Sequence, residues 1–152
     1  MKKIANFLLL ALVIVVDRLT KWWAFKTLFL APWPVCYGLN FVLSWNRGIS
    51  WSLFATNNPY GYWTLTALII ATIATFAGYV WWRATKKLPI TFEMLVLGGA
   101  LSNVIDRFWY GAVLDFIELY VGQWYWPVFN IADSMVVVGV CGILTRAWLG
   151  RD

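Results

Sequence analysis

The sequence predicts an all-α membrane protein, with four transmembrane helices and a small extracytoplasmic β-hairpin or sheet element. Of its 152 residues 62% are hydrophobic and 12% charged, and the mean hydropathy is +0.70, a balance that belongs to the membrane class. Four stretches approach the ~20 apolar residues that cross a hydrocarbon core. Basic residues collect at both ends and in one short loop, so the formal charge of +5 reads as a topology signal and not as a nucleic-acid footprint. At this length a single domain, residues 1–152, is expected.

The first span, residues 5–24, follows Lys2 and Lys3 and opens on the apolar run from Phe7 to Val16. That run ends in Asp17-Arg18-Leu19-Thr20-Lys21 with no small-x-small cleavage site, so a retained helix is expected and not a cleaved signal. An extracytoplasmic segment, residues 25–59, comes next. Within it, residues 40–45 and 49–54 are strand-like and are joined by Asn46-Arg47-Gly48, which reads as a hairpin. The second span, residues 60–82, closes on the basic loop of Arg83, Lys86 and Lys87. The third, residues 88–109, contains Gly98-Gly99, a point of close helix packing. Residues 110–127 form an outer loop whose Trp124, Tyr125 and Trp126 suit the headgroup belt. The fourth span, residues 128–149, ends near Arg146 and Arg151. An even number of crossings puts all the basic clusters, and both termini, on the cytoplasmic side.

This topology gives the acids a depth. Asp17 lies late in an outward-going helix, roughly 14 residues or ~21 Å beyond Lys3 at 1.5 Å per residue. Asp106 lies late in the next outward-going helix, Asp133 early in an inward-going one, and Asp115 in the loop between them. All four converge on the outer leaflet. A carboxylate near hydrocarbon costs at least ~2.5–3.5 kcal/mol, so such a gathering is a functional site by default.

The chain has no histidine, which excludes a Ser-His-Asp triad, an HExxH zinc site and a histidine relay. Cys36 and Cys141 fit no metal or redox spacing and read as small hydrophobes. No metal and no cofactor is expected. What remains is carboxylate chemistry. Two aspartates such as Asp115 and Asp133 can divide the work, one as base on a water and the other protonated, because neighbouring carboxylates cannot both ionise cheaply. Spacing alone also allows a helix cap at Asp133 and a solvated loop site at Asp115. Asn103, Asp106 and Arg107 share one helix face, and Asp17 and Lys21 stand at i and i+4; charge-paired support is the simpler role for both sets. Asn130 either orients Asp133 or caps the fourth helix, and Asn46 and Gly48 read as turn residues whose polarity also suits holding a peptide backbone.

Five ordered blocks carry a resemblance. They are Asp17 with Lys21; Asn46-Arg47-Gly48-Ile49-Ser50-Trp51-Ser52; the run from Gly98 to Arg107; Val113-Leu114-Asp115-Phe116; and Phe129-Asn130-Ile131-Ala132-Asp133. Across nearly its whole length the chain resembles the lipoprotein signal peptidase (signal peptidase II) family, bacterial membrane aspartyl peptidases. The resemblance implies that Asp115 and Asp133 are the catalytic pair. It places Asp17, Asn46, Gly48, Asn103, Asp106, Arg107, Asn130 and Ala132 on positions that bind substrate or support the pair, with Lys21 beside Asp17. The implied substrate is a prolipoprotein with a diacylglyceryl group on its lipobox cysteine, cut just before that cysteine. The implied setting is the bacterial cytoplasmic (inner) membrane, with lipids as neighbours, no nucleic acid, and a monomer. Two positions depart from the family pattern: Ser102 stands where glycine is common and Ser50 where alanine is frequent, both small replacements. A proton- or ion-coupled transporter subunit would spread its acids through the membrane, yet here only Glu93 sits towards the inner edge. A non-catalytic assembly factor is the other alternative, and it predicts tolerance of Asp115→Asn.

Overall fold

A computed structural model describes residues 2–49 and 53–150. In chain order the elements are α1 (Lys2–Thr27), β1 (Trp33–Cys36), β2 (Leu39–Asn46), α2 (Pro59–Thr85), α3 (Thr91–Tyr110), β3 (Val113–Val121), β4 (Trp124–Tyr125) and α4 (Ile131–Trp148). The strands form one antiparallel sheet in the order β1-β2-β3-β4.

Local chemistry sets the helix ends. Asn58 caps α2 by accepting from the Tyr60 N–H at 2.9 Å, and Pro59 occupies the first turn, where its missing N–H is no loss. At the other end Lys87 adopts φ 59°, with Leu88 N–H on the Arg83 carbonyl and Lys87 N–H on that of Ala84, both at 3.1 Å. This is the left-handed closure that usually takes glycine. Gly111, at φ 67°, ends α3 in the same region. Asn130 and Asp133 form a reciprocal capping box that starts α4.

α3 is the central helix and packs against the other three. A Cβ at Gly98 would lie 3.1 Å from the Leu10 carbonyl of α1, and one at Gly99 would overlap the Ala132 carbonyl of α4. The glycine pair thus lets α1 and α4 approach α3 from two sides. The outward faces invert the soluble pattern: Phe7, Leu8, Leu19 and Trp22 of α1 are each at least 60% exposed. By length and composition α2 and α4 can each cross a membrane. α1 and α3 carry the charged residues that later prove to meet at one end of the bundle.

The sheet corrects two sequence expectations. Among the described residues β2 pairs with β1 and β3, and Ile49, Leu53 and Phe54 lie in no strand. Ser50, Trp51 and Ser52 lie outside the described residues, and Leu53 and Phe54 form a turn. The local hairpin turns instead at Tyr37-Gly38, where Gly38 sits at φ 91°. Residues 113–121 were expected as loop, but they form the longest strand. Leu114 and Phe116 of that strand pack with Ala24 and Leu28 at the end of α1, against Trp23, Phe41 and Leu43. Each buried side chain of this size contributes roughly 1.5–3 kcal/mol, enough to fasten the sheet across the helix end.

Candidate active site

The register of the sheet places Asp115 opposite Ser44 and brings the end of β2 beside it. Asp115 is buried. Its Oδ2 accepts from the Asn46 side-chain amide at 3.2 Å and its Oδ1 from that of Asn130 at 2.6 Å. Asp133, in the first turn of α4, accepts at Oδ1 from the Asn103 amide at 2.8 Å and at Oδ2 from the Asn130 backbone N–H at 3.2 Å. The Asn130 side-chain oxygen takes the Asp133 N–H at 2.8 Å. Asn130 therefore lies between the two acids and holds both. The Asn103 amide is oriented by Lys21, whose Nζ donates to its oxygen at 2.8 Å, so the NH2 end faces Asp133.

Behind this layer stand two more buried carboxylates, arranged alike. Asp17 accepts the Ala132 N–H at 2.8 Å, and Asp106 accepts the Leu114 N–H at 3.2 Å. Each therefore holds the backbone amide of the residue just before one of the candidate pair, Asp133 in the first case and Asp115 in the second. Lys21 joins the two, 2.8 Å from Asp17 and 2.8 Å from Asp106. Arg18 adds a bond of 2.6 Å to Asp106 and one of 3.3 Å to Asp17, and Ser102 donates to Asp17 at 2.7 Å.

Above Asp115 the chain folds back on itself. Asn46 accepts the Gly48 N–H at 2.9 Å and donates to the Ile49 carbonyl at 3.2 Å. Arg107 reaches from α3 to the Gly48 carbonyl while its guanidinium lies over the Tyr62 ring, 5.8 Å from the centroid. The Tyr62 hydroxyl in turn donates to the Arg107 carbonyl at 3.0 Å. The Nη1 of Arg107 is buried with no partner among the described residues.

All eleven residues singled out in the sequence fall in this one region: Asp17, Lys21, Asn46, Gly48, Asn103, Asp106, Arg107, Asp115, Asn130, Ala132 and Asp133. The solvated-loop alternative for Asp115 does not hold, because that residue is a buried strand position. The capping alternative for Asp133 does hold, yet the same carboxylate also faces Asn103. Sequence reasoning gave no role in the site to Arg18, Ser102 or Tyr62, although Ser102 stood out as a departure from the family pattern. Arg18 carried a signal, a second charge beside Asp17 inside an apolar run. Tyr62 carried none.

Electrostatically the layers differ. Asp17 and Asp106 are bonded by cations. Among the described residues Asp115 and Asp133 are bonded by amides. Burial pushes Asp115 up to about 7, the Asp133 charge adds to the rise, and the Asn46 and Asn130 amides and the Lys21 charge oppose it. A carboxylic acid that keeps its proton to near neutrality, beside a second carboxylate, is equipped for acid–base work on a water.

A family model described as signal peptidase (SPase) II matches residues 9–149. A lipoprotein signal peptidase of Methylobacterium radiotolerans is 41% identical over 143 residues, covering 92% of this chain and 83% of the relative. One from Polynucleobacter necessarius is 38% identical over 148 residues, covering 95% and 91%. In fold the chain is similar to a solved bacterial membrane enzyme with TM-score 0.73, at 24% identity over 97% of this chain and 88% of that one.

Proposed function

From the premise that the chain belongs to the signal peptidase II family, we propose that it is an aspartic endopeptidase that removes signal peptides from prolipoproteins, with Asp115 and Asp133 as its catalytic pair. The observation that carries the assignment is Asn130 set between two carboxylates, its side-chain amide on Asp115 and its backbone N–H on Asp133.

The chemistry follows from that division. Asp133 takes a proton from a water lodged between the acids, and the water oxygen attacks the scissile carbonyl. Asp115 gives its proton to the carbonyl oxygen, so the tetrahedral species forms as a neutral gem-diol. Collapse returns a proton to the leaving amine, the C–N bond breaks, and one carboxyl of the pair is left protonated for the next cycle. Asn46, Asn103 and Asn130 orient the carboxylates without neutralising them. Asp17 and Asp106, tied by Lys21, hold the backbone beneath. Arg107 and Gly48 are assigned to the extended peptide, and the Nη1 of Arg107, buried with no partner among the described residues, suits a peptide carbonyl.

We further read all four helices as transmembrane and both termini as cytoplasmic, in the bacterial inner membrane, with the site at the outer leaflet. The basic clusters support this orientation. So does the sheet: residues 27–46 hold no charged residue, while Trp33, Trp124 and Trp126 are exposed, as suits a headgroup boundary. There the acyl chains of a diacylglyceryl cysteine lie in the leaflet and bring the peptide bond to the depth of the acids. The enzyme acts as a monomer in contact with lipid and has no nucleic-acid partner. Cleavage of a diacylated prolipoprotein by the purified protein, wild type beside Asp115→Asn and Asp133→Asn, tests this reading; turnover by either folded variant overturns it.

A further inference from the structure

One donor in the layer behind Asp133 serves a single acceptor. Of the groups on Asp17, Lys21 is shared with Asp106 and Asn103, and Arg18 lies closer to Asp106 than to Asp17. Both cations therefore draw the Asp17 carboxylate towards Asp106. The Ser102 hydroxyl has one proton and gives it to Asp17 Oδ2 at 2.7 Å. With Oδ2 held there, Oδ1 remains on the Ala132 N–H at 2.8 Å.

The placement of Ser102 on α3 sharpens the point. One turn earlier on the same helix, Gly99 lies against the Ala132 carbonyl. The peptide groups flanking Ala132 thus meet α3 twice, by close approach of Gly99 at the carbonyl and at the N–H through Ser102 and Asp17. Asp133 is the next residue. Ser102, Asp17 and Ala132 are all 0% exposed, so water cannot stand in for a lost hydroxyl.

We propose that Ser102 is a positioning residue for Asp133, acting through Asp17 and the Ala132 N–H; this rests on the catalytic-pair reading above. It tunes the first turn of α4 and does not touch substrate. Glycine, common at this position in the family, supplies no such bond, so the hydroxyl refines an alignment that the cations already set coarsely.

The test is steady-state cleavage of one diacylglyceryl-modified peptide by wild type, Ser102→Ala, Ser102→Gly and Asp133→Asn, with a thermal melt of each. Ser102→Ala is expected to lose about tenfold in kcat, with KM nearly unchanged and a small fall in melting temperature, since a buried hydrogen bond to a charged group is removed. Ser102→Gly is expected to lose the same amount in kcat, with a further fall in melting temperature from glycine inside a helix. Wild-type kcat in Ser102→Ala overturns the proposal. So does a graded loss of kcat, small for alanine and larger for glycine, which marks the side chain as filler. Should Ser102→Ala fail to fold, the kcat of Ser102→Gly decides alone, a tenfold loss at unchanged KM supporting the proposal and wild-type kcat overturning it. Failure of the wild type to cleave, or turnover by Asp133→Asn, instead overturns the catalytic-pair reading.

Discussion

Buried carboxylates occupy both ends of the helix bundle, and they are treated in opposite ways. At one end Glu93 is 0% exposed and lies between two guanidinium groups. Arg83 of α2 approaches at 3.1 Å, Arg146 of α4 grips both oxygens, and both arginines also donate to the Pro89 carbonyl, at 3.3 and 3.0 Å. At the other end Asp17 and Asp106 are similarly paired with Lys21 and Arg18, but the acids in front of them meet asparagines. A carboxylate ion-paired to two guanidinium groups that belong to different helices fastens those helices together. A carboxylate held by amides, with cations one layer back, has no ion pair at its oxygens among the described residues. Glu93 and Asp115 are both buried, so the partner and not the burial is what differs between the two ends.

The largest effect that bears on this contrast is at the pair itself. Asp115→Asn and Asp133→Asn should each reduce lipopeptide cleavage by roughly 10³-fold or more, since an amide can neither accept the water proton nor cycle one. Cleavage within about tenfold of wild type in either folded variant would place the proton transfer elsewhere. Substrate lipid comes next. The same peptide with an unmodified cysteine should lose about 10²-fold in kcat/KM, with turnover falling as well as affinity, because remote binding energy orients the reacting bond. Equal cleavage of both peptides would reduce the enzyme to a general boundary peptidase.

Glu93→Gln probes the other half of the comparison. It removes the negative charge that both guanidinium groups face and should destabilise the fold by about 3–5 kcal/mol, while kcat per folded molecule stays at the wild-type value. A kcat loss without a loss of stability would mean that the Glu93 cluster is not a fastener. The smallest effect is a shift in pH dependence. Asp115 must hold its proton to act as the acid, so activity is retained below its raised value of about 7 and lost as pH rises through it. Asn46→Ala removes a donor that favours the carboxylate, and the alkaline limb of the kcat/KM profile should move to higher pH. A limb that moves down, or stays in place, would show that Asn46 does not bear on the proton of Asp115.

Sequence legibility divides along similar lines. The helices could be read because hydropathy is local, and the candidate acids because agreement in depth survives without any knowledge of contacts. The sheet could not. β3 is a near-continuous apolar run with no strict alternation, and its partner β2 lies some seventy residues away, so nothing nearby announces the pairing. The described residues of the expected second strand, Ile49, Leu53 and Phe54, lie outside the sheet, since local β propensity carries no information about which edge is free. Ser102 was legible as a small residue in an unusual place, but its acceptor sits 85 positions earlier in the chain. Hydrogen bonds between helices are set by packing angle, which a linear pattern does not encode.

The close approach at Gly99 has a consequence for how such a sequence can change over generations. Any side chain there, even a methyl group, meets the Ala132 carbonyl and pushes on the turn that carries Asp133. Compensation would need α4 to retreat, yet Gly139, two turns further along, is pressed just as closely by Phe92 and Val96 of α3. The seam between the two helices therefore cannot widen at one end alone. A lineage that lost glycine at position 99 would be stranded: the repair demands several simultaneous replacements along α4, each damaging by itself. Position 99 should accordingly be among the least forgiving in the chain to saturation mutagenesis scored by lipoprotein processing, although its residue performs no chemistry.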